Sequence, residues 1–431
     1  MQGVEPTPTR SDTDRRLPAA DRFVRDGLEA TLAYARERDY CGWDYGDGMS
    51  SRYLQALPVD NKWVNLAVQE TVKRAPVNVR PLFRVEQRRN YKGTALFAMA
   101  NLTADRLELA SAPGARGVDY REEAHDLCEW LLAARSVGYA GFCGGHNHRL
   151  QHLDGQGHPN DPDIVSTTYA VKALLRGADL DAEYPEIART VVDFIEEDLN
   201  YRPVEDGRGA LVNYHMNHPE EYYTINAGAL CARTLLDLHA HFGQGDGRGR
   251  TGDGNDVDDA FGLRERAEAL LDHIADLQRP CGGWPYREPA DASHLSMDNH
   301  HNGFVIESFQ RYRQVTGSDR YADTLADALA FYRQDLFDPN GAPHFDESSP
   351  YPRDIHASTQ GALVFTYAGD LAFARRILEW VFDELYAGDG RFYYRKERFF
   401  TRRVTLMRWC QAWMAYAMSE YLAARRGAAA A

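Results

Sequence analysis

Lysine is almost missing from this chain: only Lys62, Lys73, Lys92, Lys172 and Lys396 occur, and arginine supplies the rest of the 49 basic residues. They are outweighed by 64 acidic residues, for a net charge of −15. That balance offers no basic face and argues against nucleic acid as a partner. There is no apolar run near twenty residues, so no integral membrane segment is expected. The opening MQGVEPTPTRSDTDRR has no apolar core of a secretory leader, which points to a cytoplasmic protein. The six cysteines form no CxxC pair, so reduced thiols are expected rather than a disulfide framework or a zinc site. No metal and no other cofactor is expected.

What is abundant is aspartate and arginine. Stretches such as GDGRGRTGDGNDVDD (245–259) read as the signature of a salt-loving organism with a GC-rich genome. In that reading the acidic surface keeps the chain hydrated in salt and says nothing of a partner.

Apolar residues spaced i, i+3, i+4, i+7 dominate, so most of the chain reads as helix. Two kinds alternate. Helices charged along one face are expected at 20–39, 120–135, 184–199, 263–278, 320–336 and 371–387. Helices rich in small and apolar residues on nearly every side are expected at 91–103, 166–176, 223–239, 299–314, 355–368 and 405–423. The first kind belongs on a surface and the second inside. Six outer–inner hairpins predict an all-α fold, an (α/α)6 toroid spanning 16–425 as a single domain. An open helical solenoid would show the same alternation. Residues 1–15 and 426–431 read as tails. The Gly- and Asp-rich 241–260 reads as a solvated loop insertion. The segment 49–90 is extra length in the first hairpin, placed to cover part of a central cavity.

The six outer-to-inner links also resemble one another: CGWDYGDG (41–48), GFCGGHNH (141–148), ALVNYHMNH (210–218), CGGWPYRE (281–288), GAPHFDE (341–347) and GRFYYRKE (390–397). Each joins turn formers to aromatic and polar residues. Equivalent links at one end of a toroid form short, strand-like rim loops around its mouth.

The inner helices begin with residues unusual for a buried ring. The fourth starts SMDNHHNG, with Asp298, His300 and His301; the fifth starts YPRDIHASTQG, with Asp354 and His356; the sixth carries Arg408; the third offers Asn226. Burying so many polar groups is costly unless they are paired or wet. A wet basin at helix N-termini, which favour anions, rimmed by Trp43, Trp284, Tyr286, Tyr394 and Arg395, suits a charged sugar. The plainer alternatives are that Asp298 and Asp354 are N-caps, that the histidines are satisfied core residues, and that Arg408 belongs to a structural ion pair.

The stretches GWDYGDGMSSRYLQAL, KRAPVNVRPLF, RRNYKGTALFAMANL, DNHHNGFVIESF, YPRDIHASTQGAL and MRWCQAWMAYAMS resemble proteins encoded among polysaccharide and glycan-assembly genes. Such proteins are similar to the six-hairpin glycosidase superfamily and in part to uronyl C5-epimerases. The resemblance runs from about residue 30 to 425 and implies a toroid with a glycan substrate. A rival resemblance is to squalene-cyclase and prenyltransferase α-barrels, carried by QRPCGGW (278–284) and by DVDD (256–259).

The expected activity is that of a carbohydrate-active enzyme on an acidic, uronic-acid-containing glycan. Epimerisation or β-elimination would take Tyr394, His300 or His356 as base, with Arg408 or Arg395 neutralising the carboxylate. Hydrolysis would take Asp298 and Asp354, with Asp44 or Asp47 as outside candidates. Trp284, Tyr286, His301, Asn226 and Trp43 would bind substrate. Arg408→Ala is expected to abolish activity on a uronate with little loss of fold. The alternatives are an isoprenoid cyclase and a non-catalytic glycan-binding assembly protein.

Overall fold

A computed structural model describes residues 19–430 apart from 58–59, 110–116, 152–155, 206–207, 218, 220 and 244–261. The proposed N-terminal tail, DVDD and nearly all of the acidic insertion lie outside the described residues.

All twelve expected helices form. The outer helices are α1 (Arg22–Arg36), α4 (Tyr120–Ala133), α6 (Glu183–Arg189, continued by a kinked turn to Asp198), α8 (Leu263–Asp276), α10 (Ala322–Asp335) and α12 (Leu371–Glu384). The inner ones are α3 (Tyr91–Arg106), α5 (Ile164–Arg176), α7 (Ile225–Phe242), α9 (Asn299–Thr316), α11 (Ile355–Tyr367) and α13 (Trp413–Ala430), the last entered through a π-turn at Met407–Ala412. One more helix, α2 (Lys62–Arg74), lies in the extra segment of the first hairpin. The last inner helix runs on to Ala430, through most of the stretch expected to be a tail.

Each inner helix packs on the next, and α13 packs back on α3, so the ring closes and the open-solenoid alternative falls away. Each inner helix also packs against the outer helix that follows it, and α13 against α1. The seam is tied by Asp21, which accepts from Tyr421 Oη at 2.8 Å and Arg425 Nε at 2.9 Å. The composition explains the layering. In α11 every residue from Ile355 to Thr366 is buried, whereas α1 buries one stripe, including Val24, Leu28 and Leu32.

The links stitch the rim. The backbone N–H opening an inner helix donates to a carbonyl in the link of the next hairpin: Ile164 to Tyr214, Ile225 to Tyr286, Asn299 to Phe345, Ile355 to Tyr394, and Met407 to Trp43. An orphan N–H at each of five helix starts is thereby satisfied by a neighbour in space. The rule places Trp43, Tyr214, Tyr286, Phe345 and Tyr394 at equivalent stations around one mouth. Short antiparallel pairs reinforce it, such as Tyr223–Thr224 with Arg287–Glu288 and Arg353–Asp354 with Arg395–Lys396.

Midway along the axis the ring is plugged. Tyr169, Phe304 and Trp413 meet with centroids 5.0–6.4 Å apart, all nearly or fully buried. Among the described residues no helix is long and apolar enough to cross a membrane.

Candidate active site

The polar basin lies at the N-terminal ends of the inner helices, on the rim side of the plug. Its centre is a histidine cluster. Asp298 caps α9 by accepting from the His301 backbone N–H at 3.2 Å. The same carboxylate lies 2.8 Å from His301 Nδ1 and 3.2 Å from His300 Nδ1. One buried carboxylate thus orients two imidazoles and directs their Nε2 atoms away from it. Burial pushes the Asp298 pKa up, but His301 and His300 outweigh it and the carboxyl stays below its ordinary value. Asp298 is thus an N-cap that also contacts both histidines.

His300 sits 4.0 Å from His301 and 4.8 Å from His356, ring centre to ring centre. His356 lies against Trp409 at 4.6 Å and Trp413 at 4.5 Å, and its Nδ1 is buried without a partner. Burial, with His301 beside it, brings His300 down to about 3. His356 is held well below its usual value by burial and His300. Both imidazoles are thus uncharged at pH 7. Tyr286 packs on His301 at 4.3 Å, and burial pushes its phenol up to about 12.

Asp354 caps α11 and also accepts from Trp409 Nε1 at 2.8 Å. Burial, opposed by Arg395, raises it to about 6. Tyr394 is almost fully buried, and its phenol is held well above its usual value by burial and by Asp354. That environment disfavours the phenolate, and Tyr394 Oη accepts from Arg395 at 3.3 Å. Arg395 lies beside it, bound to Glu397 at 2.9 Å.

Four further expectations change. Trp284 is 1% exposed, stacks on Phe309 and donates to the Ile274 carbonyl at 2.8 Å. It is a core residue turned away from the basin. Gln278 likewise donates to Gly282 and Thr324 carbonyls, so the QRPCGGW stretch is a structural joint between hairpins. Trp43 holds the extra segment through Val85 O at 3.2 Å, while its carbonyl caps the sixth inner helix. Arg408 does reach the basin, but it pairs with Asp44 at 2.8 Å with both side chains under 10% exposed. Its removal would strand a buried carboxylate, so little loss of fold is no longer expected. Asp44 and Asp47 are tied to Arg408 and Arg80. Asn226 is buried in the first turn of α7 with its carbonyl oxygen unpartnered.

Sequence reasoning missed Lys92, His146, His148, Asp163 and Tyr214. Lys92, in the first turn of α3, is 7% exposed, and no hydrogen bond or ion pair reaches it among the described residues. Burial and the neighbouring Arg408 pull its ammonium down to about 7, while Asp163 and Asp44 act the other way. Its charge also acts on His146, His300 and His356, so it stands inside the cluster. The signal was available, because a lysine is conspicuous in a chain with five and in a helix otherwise small and apolar. His146 lies in the second link, beside Asn90 at 3.3 Å. Asp163 caps α5 and is raised by burial against the pull of Lys92.

Asp298, His300 and His301 place one donor atom each within 4.8 Å of one another, a set able to hold a metal ion. His301 Nδ1 is hydrogen-bonded to the Asp298 carboxylate and His300 Nδ1 lies 3.2 Å from it, so the carboxylate orients the imidazole pair. A cavity of about 550 Å³ lies at the opposite end of the inner helices. The rim basin is taken as the candidate site because titratable side chains converge there.

No protein-family model matches the chain, and no curated protein matches it in sequence. Solved structures do share its fold. Cellobiose 2-epimerase from Bacillus thermoamylovorans superposes with a TM-score of 0.57 at 13% identity, over 79% of this chain and 90% of its own. An unsaturated glucuronyl hydrolase specific for heparin gives 0.57 at 11%, over 95% and 97%. A glycoside hydrolase family 76 mannosidase from Bacteroides thetaiotaomicron gives 0.57 at 9%, over 94% and 98%. The chain has the six-hairpin (α/α)6 fold of these proteins.

Proposed function

We propose that this protein is a carbohydrate-active enzyme that moves a proton at a sugar carbon, epimerising or eliminating a uronic acid residue of an acidic glycan. The observation that carries the reading is the pair His300 and His356: two imidazoles held neutral, one oriented by a buried carboxylate, beside an unpaired Lys92. Proton abstraction next to a carboxylate needs a base in its unprotonated form and a cation for the charge that develops. His300 or His356 takes the C5 proton, and the C–H electron pair moves into the uronate carboxyl group. Lys92, rather than Arg408, is the free cation for that charge, because Arg408 is already neutralised by Asp44. Return of a proton to the opposite face gives the epimer; departure of the C4 oxygen gives the unsaturated sugar. Tyr286 remains a proton donor throughout neutral pH. The names of the fold neighbours, which include sugar epimerases and a glucuronyl hydrolase, support a sugar as substrate.

Hydrolysis is the second reading, favoured by Asp354, whose carboxyl at about 6 is in the range of a general acid. One experiment separates the readings. Uronate-containing oligosaccharides are incubated with the enzyme in D2O and followed by NMR. Deuterium entering C5, or a C4=C5 double bond in place of the C5 proton, either one lost in His300→Gln, supports proton abstraction. Release of a sugar without exchange supports hydrolysis, and binding with neither supports a non-catalytic glycan-binding protein.

A further inference from the structure

The other end of the toroid holds a second polar chamber. It is the cavity of about 550 Å³ lined by the middle and C-terminal turns of α5, α7, α9 and α11 and by Glu420 at the middle of α13, a volume suited to a small metabolite. The Tyr169–Phe304–Trp413 plug separates it from the rim basin.

Its walls are ion pairs between helices. Arg176 grips Glu420 with two bonds of 2.7 and 2.9 Å, Arg311 binds Asp237 at 2.6 Å, and Arg233 binds Glu307. Each of the three carboxylates thus has its own arginine. Lys172, on the same wall and 7% exposed, has none; its Nζ donates to Tyr416 Oη at 2.6 Å. The chamber therefore carries one cation more than its carboxylates neutralise. Burial, together with Arg233 and Arg176, presses the Lys172 ammonium well below its ordinary value, so an anion there would relieve it.

The lining also carries unpartnered polar atoms. Arg233 Nε, Asp237 Oδ2, Gln310 Oε1 and Thr366 Oγ1 are buried with no hydrogen-bond partner, on residues 9% exposed or less. Buried groups of this kind are costly unless something binds them. Two of the four are acceptors and need a donor such as a hydroxyl; Arg233 Nε needs an acceptor.

We propose that this chamber is a second binding site, separate from the rim basin, for a small hydroxylated anion: a hexose-sized polyol bearing a phosphate or a carboxylate. The anion meets Lys172, and the hydroxyls satisfy Asp237, Gln310, Thr366 and Arg233. Helix C-termini disfavour anions, but that effect fades within a turn and is smaller than a direct charge-assisted bond to a buried ammonium. The proposal does not depend on the reaction assigned to the rim.

The test is isothermal titration calorimetry of the full chain with D-glucose 6-phosphate, D-glucuronate, inorganic phosphate and neutral D-glucose. One or both charged sugars should bind saturably at this site, and glucose at least tenfold more weakly. Lys172→Met should weaken the charged sugar at least tenfold. Gln314→Glu, a charge added at an exposed residue of the mouth and harmless to folding, should do the same. His300→Gln, at the rim, should leave it unchanged. Preference between the two charged sugars identifies phosphate or carboxylate as the anionic group. The proposal is overturned if neither charged sugar binds, if glucose or inorganic phosphate alone binds as well, if Gln314→Glu has no effect, or if His300→Gln abolishes binding.

Discussion

Arg408→Met offers the sharpest test of how the basin is held together. The guanidinium Nε lies 2.8 Å from Asp44 Oδ2, and the two side chains are 4% and 8% exposed. Without Arg408, Asp44 keeps only the Asn90 Nδ2–H at 2.8 Å and the Tyr45 N–H at 2.7 Å as donors. Breaking a buried pair from one side costs about 3–5 kcal/mol. The two surviving donors place this case near the lower end, about 3 kcal/mol, or roughly a hundredfold in the folded-to-unfolded ratio. The sign with pH follows from the carboxylate. In the native protein burial raises Asp44, but Arg408 outweighs it and the group stays below its ordinary value. That stability is present above the unfolded pKa of about 4 and is lost as pH falls through the folded value. In the variant burial is opposed by His148 and the Tyr45 N–H but no longer by Arg408, so the folded pKa rises, and the cost shrinks as pH falls and the carboxyl protonates. Urea unfolding followed by tryptophan fluorescence should therefore show a larger deficit at pH 8 than at pH 5. Asp44→Asn/Arg408→Met, which removes both charges, should recover at least half of it. A deficit under about 1 kcal/mol, one equal at the two pH values, or a double variant no better than the single, would refute the reasoning.

Other expectations follow from the same geometry. Lys92 has a folded pKa near 7 against about 10.4 unfolded, so the native state resists its protonation and stability rises with pH between the two values. Lys92→Met should accordingly raise stability more at pH 6 than at pH 10, while lowering kcat/KM on a uronate; a variant less stable at pH 6 would show that the ammonium is paired. His300→Gln should lower kcat by about 10²–10⁴ with the fold intact. Because His300 titrates near 3, the wild-type rate should not decline through His300 until well below pH 5, and a His300-dependent fall near pH 6.5 would contradict its depressed value. Dialysis against EDTA should leave the rate unchanged; loss restored by a divalent ion would make Asp298, His300 and His301 a metal site. Trp284→Ala should cost about 3–5 kcal/mol of stability and leave KM unchanged in the folded fraction, since the indole is packed on Phe309.

The sequence by itself determined the twelve helices, their alternation and the six links. Those features are written in short-range periodicity, and a helix such as α11, apolar on every side, has nowhere to go but inside. The caps were legible for the same reason, because Asp298 and Asp354 act on N–H groups two or three residues away. What only the tertiary structure decided is which polar groups meet across the ring. Arg408 and Asp44 are 364 residues apart, and nothing local marks them as partners. Trp284 and Tyr286 are two residues apart in one link, yet one faces the core and the other His301. Lys92 entered the basin, and Lys172 the opposite chamber, because ring closure sets the angle at which each inner helix faces the axis. Helical periodicity fixes a face relative to its own helix; only packing against five others turns that face toward a site.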